Sequence, residues 1–240
     1  KALLKSLDNN EIQIYAKDPQ IKVDLANMGW DGSMYVGGCA VENCLADYLY
    51  MVEANLGVNK SNYFLKRSVD RLVDISSRSV SRVIKISYEN TARSTTWPGG
   101  DYKNYMRVYI PVETNIAEVS IYDTVDPTNK KILTSNELEV TTRGDKRELA
   151  FLVTVPITKK RTVEIRYSSS VDLNLYNEYS YLSYIQKQSG FGETPIVSLV
   201  SYPSDWQPVQ VEPAATTVNS KLLFDQVLEK DLVSGVVMGK

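Results

Sequence analysis

Ile84-Lys85-Ile86-Ser87-Tyr88-Glu89 alternates residue by residue between apolar and polar side chains. Successive side chains of a strand point to opposite faces, so Ile84, Ile86 and Tyr88 are predicted to face a core and Lys85, Ser87 and Glu89 to face water. Working outward, the same period of two holds from about residue 63. Met106, Val108 and Ile110 share one face, with Tyr105, Arg107 and Tyr109 on the other. Val119 and Ile121, then Leu149, Phe151, Val153 and Val155, then Val163, Ile165 and Tyr167 continue it. Further strands are predicted at 179–187, 195–202, 221–228 and 231–238. Trp97-Pro98-Gly99-Gly100-Asp101 has the composition of a tight turn. Evenly spaced strands with turns between them indicate an antiparallel sandwich rather than βαβ units.

Upstream the period changes. Ala2, Leu3, Leu4 and Leu7 have helical spacing, which Asp8-Asn9-Asn10 breaks. Ile12, Ile14 and Ala16 alternate with Gln13 and Tyr15, as in a half-buried strand. Asp18 is a good N-cap with Pro19 at the first helical position; Ile21, Val23, Leu25 and Met28 give an apolar side, and Gly29 reads as the stop. The loop Trp30-Asp31-Gly32-Ser33 follows. Asp47 to Ala54 is a near-continuous apolar strand, expected to be covered on both faces. The predicted class is therefore α+β, mostly β: a short N-terminal helix-strand-helix-strand segment followed by an antiparallel immunoglobulin-like β-sandwich. Residues 1–62 read as a small α/β segment, the remnant of a larger upstream domain, and 63–202 as the sandwich. Residues 203–240 read as a proline-containing loop (Pro203, Pro208, Pro213) with terminal strands. Lys1 falls inside the helical spacing, which points to a trimmed or processed chain.

The 240 residues include no histidine, so neither a Ser-His-Asp nor a Cys-His nucleophile system can be assembled within the chain. A net charge of −2 gives nucleic acid no electrostatic footing. No apolar run approaches the roughly 20 residues that span a bilayer, and no signal peptide is visible. The two cysteines stand in Gly37-Gly38-Cys39-Ala40-Val41-Glu42-Asn43-Cys44. The spacing suits a local Cys39–Cys44 disulfide, worth about 2 kcal/mol on the chain-entropy model, and hence an extracytoplasmic address. The alternative is a pair of reduced thiols. A zinc site would need further Cys or His ligands, and the chain has none.

Several segments carry weaker signals. Asp123 and Asp126, with Thr124, can bind a cation at a strand end or form a solvated turn. The loop Asn55-Leu56-Gly57-Val58-Asn59-Lys60-Ser61-Asn62 has Gly57, Lys60 and Ser61 in a faint phosphate-loop arrangement, without the second glycine or the spacing of that motif. Its default reading is an ordered turn whose amides and asparagines satisfy one another. Asn59-Lys60-Ser61 is also a glycosylation sequon. Arg143-Gly144-Asp145 is the tripeptide that integrins read, but it falls where a glycine turn is wanted anyway. Of the 16 tyrosines, Tyr179 and Tyr181 share one face of a strand close to Tyr176 and Tyr184. They form either an aromatic strip for sugars or proteins or a packed sandwich edge.

The order of these pieces resembles the C-terminal half of a bacterial envelope family known as domain of unknown function 4012. The resembling segments are Gln13-Ile14-Tyr15 to Gly29-Trp30-Asp31-Gly32, the run from Asp47 to Asn62 with Arg67 beyond it, Tyr88-Glu89-Asn90, Tyr102 to Pro111, and Gln186-Lys187-Gln188-Ser189-Gly190. The resemblance implies a membrane-anchored bacterial protein whose globular part faces outward and whose absent N-terminal half is similar to LytR-CpsA-Psr domains. It transfers no catalytic residue. The first expectation is a non-catalytic extracytoplasmic module, without cofactor or metal, that binds or positions a cell-wall glycopolymer or envelope protein. Asn55, Gly57, Asn59, Lys60, Ser61, Arg67, Tyr179 and Tyr181 are its candidate binding residues. One alternative is the C-terminal part of a glycopolymer phosphotransferase with Lys60, Ser61 and Arg67 near the phosphates. A surface-assembly or adhesin subunit that forms homo-oligomers is the other.

Overall fold

The computed structural model describes residues 2–39, 41–219 and 221–240; the helical reading of Lys1 lies outside them. Strands occupy 54% of the chain and helices 10%, so the class is mostly β. Helix α1 spans Ala2–Asp8 and α2 Pro19–Asn27. The strands are β1 (Cys44–Asn55), β2 (Leu65–Ile75), β3 (Ser79–Asn90), β4 (Tyr102–Pro111), β5 (Asn115–Asp123), β6 (Asp126–Ile132), β7 (Leu138–Arg143), β8 (Lys146–Val155), β9 (Lys160–Ser170), β10 (Glu178–Gln186), β11 (Pro195–Ser201), β12 (Gln207–Glu212), β13 (Thr216–Val218), β14 (Lys221–Val227) and β15 (Leu232–Gly239). No helix among the described residues is long and apolar enough to cross a membrane.

The strands form two sheets, ordered β12-β15-β10-β1-β4-β8-β7 and β13-β14-β11-β2-β3-β9-β5-β6. Their apolar faces meet. Ile84, Ile86 and Tyr88 of the second sheet pack in one buried cluster with Leu49, Met51, Met106, Val108, Ile110, Leu149 and Phe151 of the first. The alternation of β3 thus sets the inner face as expected. Two pairings correct the all-antiparallel expectation. β1 lies parallel to β10, with Tyr48 opposite Tyr184, and β2 lies parallel to β11, with Leu72 opposite Leu199. Each parallel pair joins strands more than a hundred residues apart, which the long connections between them allow. The three sequence segments pool their strands: β1 from 1–62 is the middle strand of the first sheet, and β14 and β15 from 203–240 enter one sheet each.

Two further expectations change near the N-terminus. Residues 13–16 form no strand: the Ile14 amide bonds to the Trp30 carbonyl at 2.8 Å, but no sheet edge is present to extend the pairing. Asp18 does cap α2, its Oδ1 accepting from the Gln20 and Ile21 amides, and Gly29 follows in the left-handed conformation at φ 71°. Within α2 only Leu25 is buried; Ile21 and Val23 are exposed, as is Met28 beyond its end. The N-terminal segment is tied to the sandwich mainly by polar bonds. Lys187 Nζ reaches the Asn9 carbonyl at 2.9 Å, and Gln13 Nε2 reaches Ser189 at 2.8 Å.

Candidate functional site

β1 was expected to be apolar and covered on both faces. Its inner face instead alternates Asp47, Leu49, Met51 and Glu53, and both carboxylates are buried. Asp47 Oδ2 accepts from Arg71 at 3.0 Å, Arg82 at 3.3 Å and the Tyr181 hydroxyl at 2.5 Å. Arg71 also donates to Ser183, and Arg82 to Ser169 and the Val80 carbonyl. This ionic layer separates two apolar clusters, since Val69 and Ile84 lie on one side of the arginines and Val73 and Val80 on the other. Burial alone pushes the Asp47 carboxyl up, but Arg82, Arg71 and the Tyr181 bond together hold it below its ordinary value. Burial also pushes the Tyr181 hydroxyl up, reinforced by the adjacent Asp47 charge.

Glu53 makes the second inner cluster. It pairs with Arg67 at 2.5 Å and accepts from Tyr102 at 2.6 Å and Tyr88 at 3.0 Å. Arg67 is further bonded to Thr194 at 3.0 Å and stacked 3.8 Å over the Phe191 ring. Both clusters cross between the sheets and leave no carboxylate open to water, so they act as internal clasps. Sequence reasoning missed them, although a parity signal exists: Arg67 and Arg71 alternate in step with Val69 and Val73, and Arg82 in step with Ile84.

The candidate residues then fall into place. Tyr179 and Tyr181 are 4% and 3% exposed and belong to the second apolar cluster, so the aromatic strip is not theirs. Arg67 is occupied by Glu53. In the 55–61 loop, Asn55 Nδ2 donates to the Asn59 carbonyl and to Ser61 Oγ, and Ser61 Oγ donates to Asn59 Oδ1 at 2.7 Å. The Gly57 amide donates to Asn55 Oδ1 at 2.8 Å, and Ser61 is fully buried. That is the self-satisfied turn; Lys60 alone of the phosphate-loop trio is exposed. Gly144 sits at φ 61° between β7 and β8, the turn that Arg143-Gly144-Asp145 was expected to supply, and Asp145 pairs with Lys146. At the β5–β6 turn Asp123 accepts from the Val125 amide at 3.1 Å and from Arg161 of β9 at 2.6 Å, and Asp126 accepts from Thr128, so both carboxylates are engaged within the fold. Cys39 and Cys44 form the disulfide, with Cα atoms 5.6 Å apart.

The outward face of the first sheet is where aromatic and charged groups collect. Paired positions put Tyr184 beside Tyr48 on β10 and β1, Tyr50 beside Tyr109 and Glu148 across β1, β4 and β8, Arg107 beside Ala150, and Tyr105 beside Leu152. Tyr35, from the segment before the disulfide, stacks on Tyr184 with ring centres 4.0 Å apart, and Tyr184 lies nearly parallel to Tyr48 at 6.1 Å. Tyr50 and Tyr109 stack at 5.8 Å. Gln186 fixes the first group, accepting from the Tyr48 hydroxyl and the Tyr35 amide and donating to the Ser33 carbonyl. Lys146 lies 4.5 Å over the Tyr48 ring. Burial, a bond to Glu148 and that carboxylate's charge push the Tyr109 hydroxyl up to about 12. Arg107 Nε is buried without a protein partner among the described residues.

At the disulfide end this face opens into a cavity of about 240 Å³, lined by Tyr35, Tyr48, Tyr184, Asp145, Lys146 and Ser169 among others. Tyr48 and Tyr184 spend their hydroxyls on Gln186 and Asp231 and Lys146 pairs with Asp145, which leaves Tyr35 and Tyr105 as the more open phenol rings. The arrangement suits binding. Among the described residues it contains no activated nucleophile and no cluster of metal-ligating side chains.

Fold and site together define a class, a disulfide-bearing β-sandwich module with an aromatic outer face. No family model and no curated protein matches the chain. Among solved structures it is similar to a proposed nutrient-binding protein of Legionella pneumophila, with 10% identity, a TM-score of 0.44, and coverage of 81% of this chain and 71% of that one. It is also similar to an M1 zinc metallopeptidase of Deinococcus radiodurans, with 10% identity, a TM-score of 0.37, and coverage of 73% of this chain and 42% of that one. At these scores neither likeness bears on activity.

Proposed function

We propose that this chain is a non-catalytic extracytoplasmic module of a bacterial cell-envelope protein that binds or positions a glycopolymer through the tyrosine face of its first sheet. The observation that carries this reading is the open part of the aromatic face: Tyr35 stacks on Tyr184 at the mouth of the cavity, and Tyr50, Tyr105 and Arg107 lie half-exposed along the same sheet. Sugar rings stack on phenols and bond to hydroxyls and guanidinium groups, which Tyr35, Tyr105 and Arg107 supply. The disulfide supports an oxidising compartment, and the resemblance to an envelope family supports the surface address and attachment through chain upstream. We keep an immunoglobulin-like relationship within this proposal, supported by the antiparallel pairing of most strands.

The test is a titration of the purified chain against soluble cell-wall glycopolymers, with envelope protein extracts as a second arm. Saturable binding that Tyr35→Ala/Tyr105→Ala abolishes supports the reading. No glycopolymer binding at high micromolar concentration overturns it, and capture of an envelope protein through the same tyrosines replaces the glycan with a protein partner.

A further inference from the structure

The end of the sandwich opposite the disulfide carries a group of strongly exposed apolar side chains. Val58 is 96% exposed, Tyr63 84%, Trp97 71% and Leu56 55%. Single exposed apolar residues are ordinary, but these four sit on two loops bonded to each other. The Lys60 amide donates to the Pro98 carbonyl at 3.0 Å, Asn59 Nδ2 to the Asp101 carbonyl at 3.1 Å, and the Leu56 amide to the Lys103 carbonyl at 2.7 Å. Val58 holds φ 55°, a left-handed conformation that disfavours β-branched residues. The asparagine network around it imposes that conformation, so the loop spends strain to present an isopropyl group to solvent.

The charges around these side chains are mainly basic, with the half-exposed Asp101 and Glu89 among them. Lys60, Arg93, Lys103 and Lys159 are exposed, and none has an ion-pair partner among the described residues. Lys159 belongs to this end because its carbonyl accepts from the Asn90 amide and Asn90 Nδ2 bonds to the Gly100 carbonyl. The local carboxylates are engaged: Asp101 with the Ile157 amide, Glu89 with Lys160 at 3.6 Å, Glu53 with Arg67. Exposed Glu193 and Glu229 lie beyond, toward β11 and β14, so the basic character belongs to the two tied loops.

We infer that this tip docks on an anionic lipid bilayer surface. Tryptophan and tyrosine favour the headgroup boundary, leucine and valine enter the acyl layer, and lysine and arginine meet acidic headgroups. Neither signal alone anchors a protein firmly, but an apolar contact with a basic ring combines two. β1 runs from the cavity to this tip, twelve residues or about 40 Å, so docking would leave the Tyr35, Tyr48 and Tyr184 group at the cavity clear of the membrane.

The experiment is co-sedimentation of the purified chain with phosphatidylcholine vesicles with and without phosphatidylglycerol, at low and high salt. Binding is expected only to the phosphatidylglycerol vesicles and weaker at high salt. Val58→Asn/Trp97→Ser should weaken it at least about tenfold, and each of Lys60→Gln and Lys159→Gln about fivefold. Asparagine tolerates the left-handed conformation, so Val58→Asn alone should keep the thermal midpoint and still reduce binding. Absence of vesicle binding, or unchanged binding by the folded variants, overturns the inference. So does binding of a soluble anionic polymer in place of vesicles. Tyr35→Ala, at the cavity end, should leave vesicle binding intact, which separates this result from the glycopolymer reading.

Discussion

The two faces of β1 carry polar residues under opposite conditions. Inward, Asp47 and Glu53 lie between the sheets, each held by arginine and tyrosine. Outward, Tyr48 and Tyr50 join a layer of stacked rings that opens to solvent at Tyr35, Tyr105 and the cavity. The same strand therefore uses buried charge to fix which sheet faces which, and uses phenols to build a surface. A polar group inside this sandwich is already spoken for. Outside, Tyr48, Tyr109 and Tyr184 are bonded too, but Tyr35, Tyr50 and Tyr105 are left partly open to solvent.

The largest test of that contrast removes an inner carboxylate. Asp47→Ala leaves Arg71 and Arg82 buried and unpaired, and should destabilise by about 3–5 kcal/mol in urea unfolding; a loss under about 1 kcal/mol would mean that the layer does not clasp the sheets. The pH dependence sharpens it. Because the folded Asp47 carboxyl lies below its ordinary value, its contribution is complete above the unfolded range near about 3.9 and fades as pH falls through the folded value. That acid-side loss should be smaller in Asp47→Ala. Glu53→Gln keeps the shape but deprives Arg67 of its partner, and should cost about 2–3 kcal/mol.

Reducing Cys39–Cys44 opens a short ring and should cost about 2 kcal/mol, read as a lower thermal midpoint with reductant. On the outer face the expected stability effects are smallest. Tyr35→Ala and Tyr105→Ala should each change unfolding free energy by no more than about 0.5–1 kcal/mol. In alkaline spectrophotometric titration Tyr109 should ionise near about 12, while Tyr88, Tyr167 and Tyr181 between the sheets, and Tyr48 and Tyr184 on the outer face, pushed higher chiefly by burial, should ionise only as the chain unfolds. Ionisation of Tyr88, Tyr167 or Tyr181 below the unfolding transition would contradict their burial between the sheets.

β3, β4, β5, β8 and β9 were legible because a half-buried strand writes its burial into a period of two, as Ile84, Ile86 and Tyr88 or Leu149, Phe151 and Val153 do, whereas the mostly exposed β6 and β7 carry no such pattern. Partners were less so. The parallel registry of Tyr48 with Tyr184 depends on which distant strands meet, and local periodicity carries nothing about that. The strand expected at Ile12–Ala16 had the pattern but no edge to pair with. The outer tyrosine face was half visible: Tyr105, Arg107 and Tyr109 were set opposite the core-facing residues, yet the aromatic strip was sought at Tyr179 and Tyr181, whose parity on β10 points inward. Asp47 and Glu53 were hidden inside an apparently apolar run because their arginine partners lie on strands that only the fold brings near.

The most direct measurement is a calorimetric titration of cell-wall glycopolymer into the wild-type chain and into Tyr35→Ala/Tyr105→Ala, each first shown to melt at the same temperature. Saturable binding by the wild type, weakened at least about tenfold in the double variant, is expected from an outer face built for recognition. Equal binding by both proteins, or none by either, would contradict it.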